Sequence, residues 1–355
     1  MEFIKPGINL NIIGKRYIAF AFSAILILVS IGSLIIHRGP HYGIDFAGGT
    51  IIQIKCMEPV AIDNIKTGLA GIGLDGSAVQ RFGQEKDNEF LVHTNQTLIT
   101  DQGFSEEVKN AVESSTGVGV EIRRVEMVGP QVGKDLQSKA LFALFYTLLF
   151  ITIYISGRFE LKWILSGIMA VALIGAVYFF SLWDVSIPFL IAVALVVTLI
   201  LFWQLRLKYA MGAVVALLHD VLITVGLFSI LDIEFSLPIV AALLTIIGYS
   251  LNDTIIVYDR IRENLKRYNR LPIDEIINKS INETLSRTIL TSTTTLIVLI
   301  SLFFLGGDII HDFSRALIVG IVIGTYSSIY VASPVLLFLQ EEGTTGSGRV
   351  VETAA

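Results

Sequence analysis

Long apolar runs alternate with short polar segments over most of this chain. The first run, Tyr17–Ile36, follows a basic head, and seven more begin after residue 135. As helices, these runs are long enough to cross about 30 Å of hydrocarbon. The pattern therefore predicts eight membrane-spanning helices. The later seven lie near Leu136–Ser156, Trp163–Leu182, Pro188–Leu205, Tyr209–Leu231, Pro238–Tyr258, Thr288–Leu305 and Phe313–Leu339.

Between the first and second runs, the period of the pattern changes. Short segments rich in β-branched residues are separated by Gly, Asp and Asn, which is typical of a soluble domain of about 100 residues. The elements follow the order strand, helix, strand, strand, helix, strand, the ferredoxin-like α+β plan. The predicted elements are Gly49–Lys55, Ile62–Leu69, Val79–Phe82, Glu89–His93, Phe104–Ser114 and Val118–Val128.

Composition supports a membrane protein and excludes other classes. Hydrophobic residues make up 53% of the chain and charged residues 16%, and the mean hydropathy is +0.71. This balance is too apolar for an ordinary globular protein. Basic patches with interleaved aromatics are missing, so no nucleic-acid partner is expected. The single cysteine, Cys56, allows no intramolecular disulfide, and we expect it to be a small buried side chain.

Positive charge marks one side of the predicted bundle. Basic residues follow alternate spans, whereas the turns Trp183–Ile187 and Asp232–Leu237 contain no Lys or Arg. By the positive-inside rule, both termini are then cytoplasmic and the soluble domain is periplasmic. We expect a cytoplasmic head at 1–16, a first span at 17–36, the periplasmic domain at 37–135, a seven-span bundle at 136–339 and a disordered tail at 340–355.

Asp253 lies inside a predicted span and is the first candidate for function. A lone ionisable residue in hydrocarbon is costly, so it usually faces a bundle interior and marks an ion or proton path. Helical spacing puts Thr245, Tyr249, Asp253 and Arg260 on one stripe, which we expect to face inward. The structural alternative is that Asp253 only hydrogen-bonds a neighbouring helix.

Other polar positions have both a functional and a structural interpretation. Asp220 lies near the middle of its span, where pairing with His219 or Thr224 is the structural alternative. Arg287 could belong to the ion or proton path, or its side chain could snorkel to the membrane interface. The hydroxyl-rich run Thr288–Thr295 could line a wet path as well as join helices by hydrogen bonds.

Three further patterns are interpreted structurally. The Gly48–Gly49 pair lacks the Lys-Ser/Thr of a phosphate loop and predicts a turn or bulge entering a strand. Gly320, Gly324 and Ser328 form a small-residue ladder that favours close helix contact. His37 and His41 have no third ligand in the sequence pattern, so we expect no metal site.

Five motifs follow one another along the chain. They are YGIDFAGGT at Tyr42–Thr50, VEMVGPQVG at Val125–Gly133, ALLHDVLITVG at Ala216–Gly226, GYSLNDTIIVYDRIREN at Gly248–Asn264 and LSRTILTSTTT at Leu285–Thr295. The set resembles the SecF branch of the SecD/SecF family of bacterial protein-export membrane proteins. The likeness extends from Tyr17 to about Leu339.

The resemblance implies a fold and a mechanism. It implies pairing with SecD in a pseudo-symmetric bundle similar to the resistance-nodulation-division (RND) exporters, in the bacterial inner membrane and in contact with its lipid. The pair would use inward proton flow in late steps of export, to help pull a translocating polypeptide through the SecYEG translocon. No cofactor and no enzymatic activity are implied. Sodium remains an alternative to the proton, because a carboxylate serves either.

The resemblance also assigns residues. The implied proton relay consists of Asp253 as the carrier, Arg287 as its basic partner, and Asp220, Asn252 and Thr291. The implied family-motif residues are Gly43, Asp45, Phe46, Gly48, Gly49, Asp259 and Arg260.

The number of spans departs from the resemblance. Members of the SecF branch usually have six spans, so a hairpin at about 158–205 is predicted to be an insertion. It carries no membrane-embedded charge, and we expect it to serve packing. Two other function classes fit the sequence less well. A small-molecule RND exporter usually carries both halves in one chain, and an intramembrane enzyme would need a catalytic pattern that the spans lack.

Overall fold

The computed structural model describes residues 8–83, 85–94, 102–183, 185–268 and 270–345. This part of the chain contains eight helices that are long and apolar enough to cross a membrane, which is the predicted number. The spanning helices are α1 (Arg16–Ile36), α5 (Pro130–Glu160), α6 (Trp163–Ser181), α7 (Ile187–Gln204), α8 (Lys208–Ile230), α9 (Leu237–Arg267), α10 (Ile273–Leu305) and α11 (Asp308–Ser327), which continues as α12 (Ser333–Thr345).

The sheet domain follows the first spanning helix. Its elements are α2 (Ile44–Ala47), β1 (Gly49–Cys56), α3 (Ile62–Ala70), β2 (Ala78–Phe82), β3 (Glu89–Thr94), α4 (Gln102–Thr116) and β4 (Val120–Val128). All neighbouring strands are antiparallel, in the order β2-β3-β1-β4. This arrangement confirms the predicted ferredoxin-like plan.

The core of the sheet domain follows from the alternation along its strands. Ile52 and Ile54 of β1 are fully buried with Phe90 of β3, and α3 and α4 cover them with apolar residues such as Val108. Cys56 is also buried, as predicted. Burial raises the pKa of the Cys56 thiol, because the apolar core disfavours the thiolate.

Three spanning helices extend beyond their predicted bounds. The helix α9 continues to Arg267, and α10 begins at Ile273 rather than near Thr288. The reason is that hydropathy locates only the segment that matches the hydrocarbon. Outside that segment, α10 is stabilised by burying Ile276 and Ile277. Helix α5 likewise begins at Pro130 and ends at Glu160.

The last span differs from the prediction in two ways. A π-helical segment, Ser328–Ala332, interrupts it between α11 and α12. The helix α12 then extends to Thr345, so the first residues predicted as a disordered tail are helical. The remaining residues of that predicted tail, 346–355, lie outside the described part of the chain.

Small residues allow the central helices to pack closely. A Cβ atom added at Gly320 of α11 would lie 2.2 Å from Cδ1 of Ile246 on α9, and one at Gly324 would lie 2.9 Å from Cβ of Ser250. Both distances are shorter than van der Waals contact, so the two helices approach each other as the predicted ladder requires. By contrast, α6 and α7 lie at the outside of the bundle, with large apolar side chains exposed.

Candidate functional site

Asp253 is a buried carboxylate on the spanning helix α9. Its exposed fraction is 1%, and no group in the described residues hydrogen-bonds to its Oδ2 atom. Thr288 on the neighbouring helix α10 is equally buried, and its hydroxyl likewise has no partner there. Buried polar atoms are nearly always paired, so the α9–α10 contact contains two exceptions.

Asp220 has the opposite surroundings. Its carboxylate accepts hydrogen bonds from Ser250 on α9 at 2.6 Å and from Ser327 on α11 at 2.8 Å. The Nδ1 atom of His219 lies 2.9 Å from Oδ1. The hydroxyl of Thr224 donates to the main-chain oxygen of Asp220 and not to its carboxylate. Of the two predicted structural partners, His219 therefore contacts the carboxylate, and the carboxylate joins three helices.

The Asp220 network continues to the first span. Nε2 of His219 lies 3.1 Å from the Ser23 hydroxyl, which lies 3.1 Å from the hydroxyl of Tyr326. Tyr326 donates to the main-chain oxygen of Ala19. The sequence reasoning missed Ser23, Ser250, Ser327 and Tyr326 as neighbours of Asp220. Their polarity within apolar spans was a signal, but it does not specify which helices meet.

Arg287, Thr291 and Asn252 do not complete a hydrogen-bonded cluster with the two carboxylates. Arg287 is exposed, and among the described residues it forms no ion pair, although its charge acts on Asp253. The Thr291 hydroxyl donates to the main-chain oxygens of Arg287 and Thr288. Asn252 is exposed. The structure thus places the five relay candidates in separate surroundings.

The expected inward stripe on α9 is only partly correct. Asp253 is buried and Tyr249 is half-buried, with its hydroxyl 3.3 Å from that of Thr295. Thr245, however, is exposed. Four residues turn an α-helix by about 400°, which is about 40° more than a full turn. Positions spaced by four residues therefore drift around the helix instead of staying on one face.

The residues Asp259 and Arg260 connect the extension of α9 to its neighbours. Asp259 forms an ion pair with Arg158 at the end of α5. Arg260 forms ion pairs with Glu283 of α10 at 2.6 Å and with Glu263 of α9 at 2.7 Å. These charged contacts lie beyond the apolar part of the span, and they tie α5, α9 and α10 together.

The motif residues Gly43–Gly49 attach the sheet domain to the bundle. The amide of Gly43 donates to the main-chain oxygen of Phe235, in the loop before α9. Asp45 accepts the amide hydrogen of Leu237 at 2.9 Å, so it pairs an otherwise unpaired donor in the first turn of α9. The buried Phe46 ring packs against Phe235, with centroids 6.0 Å apart.

Two glycines allow the backbone conformation of this motif. Gly48 has a φ of +75°, and a Cβ atom there would lie 2.8 Å from Cα of Pro130, the first residue of α5. Gly49 has a φ of +128° and begins β1. The positive φ angles at both positions and the close approach of Pro130 to Gly48 favour glycine. The predicted turn into a strand is confirmed.

The histidines near this motif make separate contacts. His37 interacts with Ser33 and Ser229, and Nδ1 of His41 lies 3.1 Å from a carboxylate oxygen of Asp232. In the described ranges, no group of three or more metal-binding side chains is found.

Comparison with family models gives two matches. The model described as protein export membrane protein SecD/SecF, C-terminal, matches residues 107–187 and 181–342. The model described as SecD/SecF GG motif matches residues 33–56, which include the Gly43–Gly49 attachment. The two segments of the first match meet between α6 and α7.

Curated relatives match along nearly the whole chain. A protein translocase subunit SecF from Magnetococcus marinus is 42% identical, over 100% of this chain and 99% of its own length. The SecF subunit of Vibrio alginolyticus is 39% identical, over 95% of this chain and 92% of its own length.

Solved structures match as well. A crystal structure of SecDF from Thermus, described as a translocon-associated membrane protein, has a TM-score of 0.68 and 32% identity. The match covers 94% of this chain and 39% of that chain, so this chain spans about two fifths of the solved SecDF protein. SecDF in a super-membrane-facing form matches with a TM-score of 0.63. Given these matches and its eight spanning helices, the chain is a multi-pass membrane protein that belongs to the SecF branch of the SecD/SecF family.

Proposed function

We propose that this chain pairs with SecD in the inner membrane and couples proton flow to late steps of protein export. The observation that carries the proposal is the buried carboxylate of Asp253, whose Oδ2 atom has no hydrogen-bond partner among the described residues. A buried charge without partners is costly, so the binding or release of one proton there changes which helix arrangement is favoured. No enzymatic step is needed.

An exposed polar surface supports a partner helix. Thr245, Gly248 and Asn252 of α9 and Arg287 and Thr294 of α10 are exposed on spanning helices. In lipid, an amide or guanidinium group at such positions is costly. Small and polar residues are typical of helix–helix interfaces in membranes. We call these five residues the α9–α10 polar surface, and its proposed partner is SecD.

The two carboxylates have different proposed roles. Asp220 is held by Ser250 and Ser327, so a change of its protonation would break contacts among three helices. Asp253 has no such contacts at Oδ2, and it can exchange a proton without breaking them. Asp253 is therefore the carrier, and Asp220 holds α8, α9 and α11 in register. Sodium is the alternative to the proton at Asp253, because a carboxylate can bind either ion.

The Gly43–Gly49 attachment gives a route for motion. Asp45 accepts a hydrogen bond from the first turn of α9, the helix that carries Asp253. A shift of α9 therefore acts directly on the attachment of the sheet domain. With the basic ends of the spans in the cytoplasm, the sheet domain lies in the periplasm. It would there contact polypeptide emerging from SecYEG. The names of the relatives favour this role over the alternative, a small-molecule RND exporter.

Export into energised inverted vesicles tests the proposal. Vesicles with SecD and the Asp253→Asn variant should lose the stimulation of export that depends on the proton gradient, because Asn keeps the shape but cannot ionise. Thr198→Val is a control outside the relay, since this hydroxyl donates to the main-chain oxygen of Ala194 on its own helix α7, and it should keep that stimulation. Parental stimulation with Asp253→Asn would refute the proposal.

A further inference from the structure

The helices α6 and α7 form a hairpin that contains all three tryptophans of the chain. Trp163 begins α6 and Trp203 lies in the last turn of α7, so both are at the same end of the hairpin. Trp183 lies in the turn at the other end. The proposed proton path uses none of these residues.

The end with two tryptophans also carries three cations. Lys162 precedes α6, Arg206 lies in the turn after α7, and Lys208 begins α8. The ammonium group of Lys162 donates to the main-chain oxygen of Leu205 at 2.7 Å, which holds the two turns together. We call Lys162, Trp163, Trp203, Arg206 and Lys208 the hairpin base.

These cations have no carboxylate partner within 4.0 Å among the described residues. Two carboxylates lie nearby, and the charge of one of them, Glu160, acts on Lys162. Glu160 accepts the amide hydrogen of Tyr209 at the start of α8, at 3.0 Å. Asp259 pairs with Arg158. In the described part of the chain, the three cations face only one carboxylate that is not in an ion pair, Glu160, so the hairpin base has an excess of positive charge.

The surface above the hairpin base is apolar. Ile164, Ile168 and Val171 of α6 are exposed by 80%, 64% and 71%, and Ile200 of α7 by 51%. Between Trp163 and Trp203 the only charged residue in the sequence is Asp184. Trp163 and Trp203 are themselves exposed by 49% and 53%, as is typical of rings at the level of lipid headgroups.

We propose that the hairpin base binds the headgroup of an anionic phospholipid. Lys and Arg donors suit the phosphate oxygens of a headgroup, and the exposed faces of α6 and α7 suit its acyl chains. An acidic protein segment would match the cations but would leave the apolar helices next to them unused. The charge pattern and the apolar pattern together favour lipid.

Tryptophan quenching tests this site, because each end of the hairpin can be observed separately. Trp183→Phe leaves Trp163 and Trp203 as reporters of the base. The double variant Trp163→Phe/Trp203→Phe leaves Trp183 as a reporter of the far turn. Each full-length protein is placed in phosphatidylcholine vesicles with increasing phosphatidylglycerol, and either lipid is brominated on its acyl chains.

Brominated phosphatidylglycerol should quench the base reporters more strongly than brominated phosphatidylcholine at equal mole fraction, and Trp183 should show no such preference. Near an anionic surface each Lys or Arg changes affinity by a factor of roughly 5. Arg206→Gln/Lys208→Gln should therefore weaken the preference by roughly 25-fold. Lys266→Gln/Arg267→Gln, which removes two exposed cations at the end of α9, is the matched control and should retain it.

Three outcomes would overturn the proposal. Equal quenching by the two lipids would leave an acidic protein segment as the better occupant. A preference that survives Arg206→Gln/Lys208→Gln would place the lipid elsewhere. Loss of the preference when phosphate replaces chloride at the same ionic strength would indicate a site for free phosphate.

Discussion

At the scale of residues, Asp253 and Asp220 are distinguished by their neighbours. Both are 1% exposed, but Asp220 has two hydroxyl donors and an adjacent histidine, whereas no partner for Oδ2 of Asp253 is found in the described residues. Paired carboxylates in a protein interior contribute to structure, and an unpaired one has an energetic cost. The same chemical group is thus suited to fixing helices at one position and to exchanging a proton at the other.

The stabilities of two asparagine variants should separate these roles. Asp220→Asn replaces an acceptor oxygen by an amide group between Ser250 and Ser327, and we expect it to destabilise the protein by about 1–3 kcal/mol. Asp253→Asn removes a carboxylate whose Oδ2 atom has no hydrogen-bond partner in the described residues, and it should be neutral or stabilising. Thermal unfolding of the purified protein in detergent measures both, and a larger loss for Asp253→Asn would contradict the assignment.

At the scale of elements, the apolar runs and the strand alternation predicted the number and type of helices and strands. They did not predict where each helix ends or which helices it contacts. The eight spans and the β1–β4 order follow from local patterns of hydrophobicity. The start of α10 at Ile273 does not, because it depends on the burial of Ile276 and Ile277. Nor could the sequence place Ser250 and Ser327 on Asp220, since that requires knowing that α8, α9 and α11 are neighbours.

The contact between α9 and α11 gives a test at this scale. A methyl group at Gly324 would press on Ser250, which donates to Asp220. We expect Gly324→Ala to cost about 1–3 kcal/mol through overpacking. Gly175→Ala, on the hairpin where no atom lies within 4 Å of the added Cβ, is the control and should not destabilise. Equal unfolding temperatures for both variants would show that the close approach is unimportant.

At the scale of the whole molecule, we propose that the chain is one part of a larger bundle formed with SecD. It covers 39% of a solved SecDF chain, and its α9–α10 polar surface is exposed. The sheet domain is fastened to the loop before α9 by Asp45 and Gly43, and His93 of β3 lies 3.2 Å from Glu234 in the same loop. The helix α9 thus carries Asp253 and part of the α9–α10 polar surface, and its first turn is bonded to the sheet domain.

Cross-linking locates the proposed partner surface. Asn252→Cys places a thiol on the α9–α10 polar surface, and the native Cys56 is buried with a raised pKa, so it should not compete. In membranes that contain SecD with scanned cysteines, Asn252→Cys should cross-link to one spanning helix of SecD. Ile168→Cys on the lipid-facing hairpin is the control. Efficient cross-links from Ile168→Cys but none from Asn252→Cys would contradict the proposed surface and would place the contact with SecD on the hairpin.

The most direct test of proton carriage is a pH-difference infrared spectrum of the purified complex with SecD in lipid. The carbonyl stretch of a protonated carboxyl group reports the residue that gains or loses the proton. If Asp253 carries the proton, a titrating carboxyl band will be present in the parent and in Asp220→Asn and will be lost in Asp253→Asn. A band that persists in Asp253→Asn and disappears in Asp220→Asn would contradict the account and would assign the proton to Asp220.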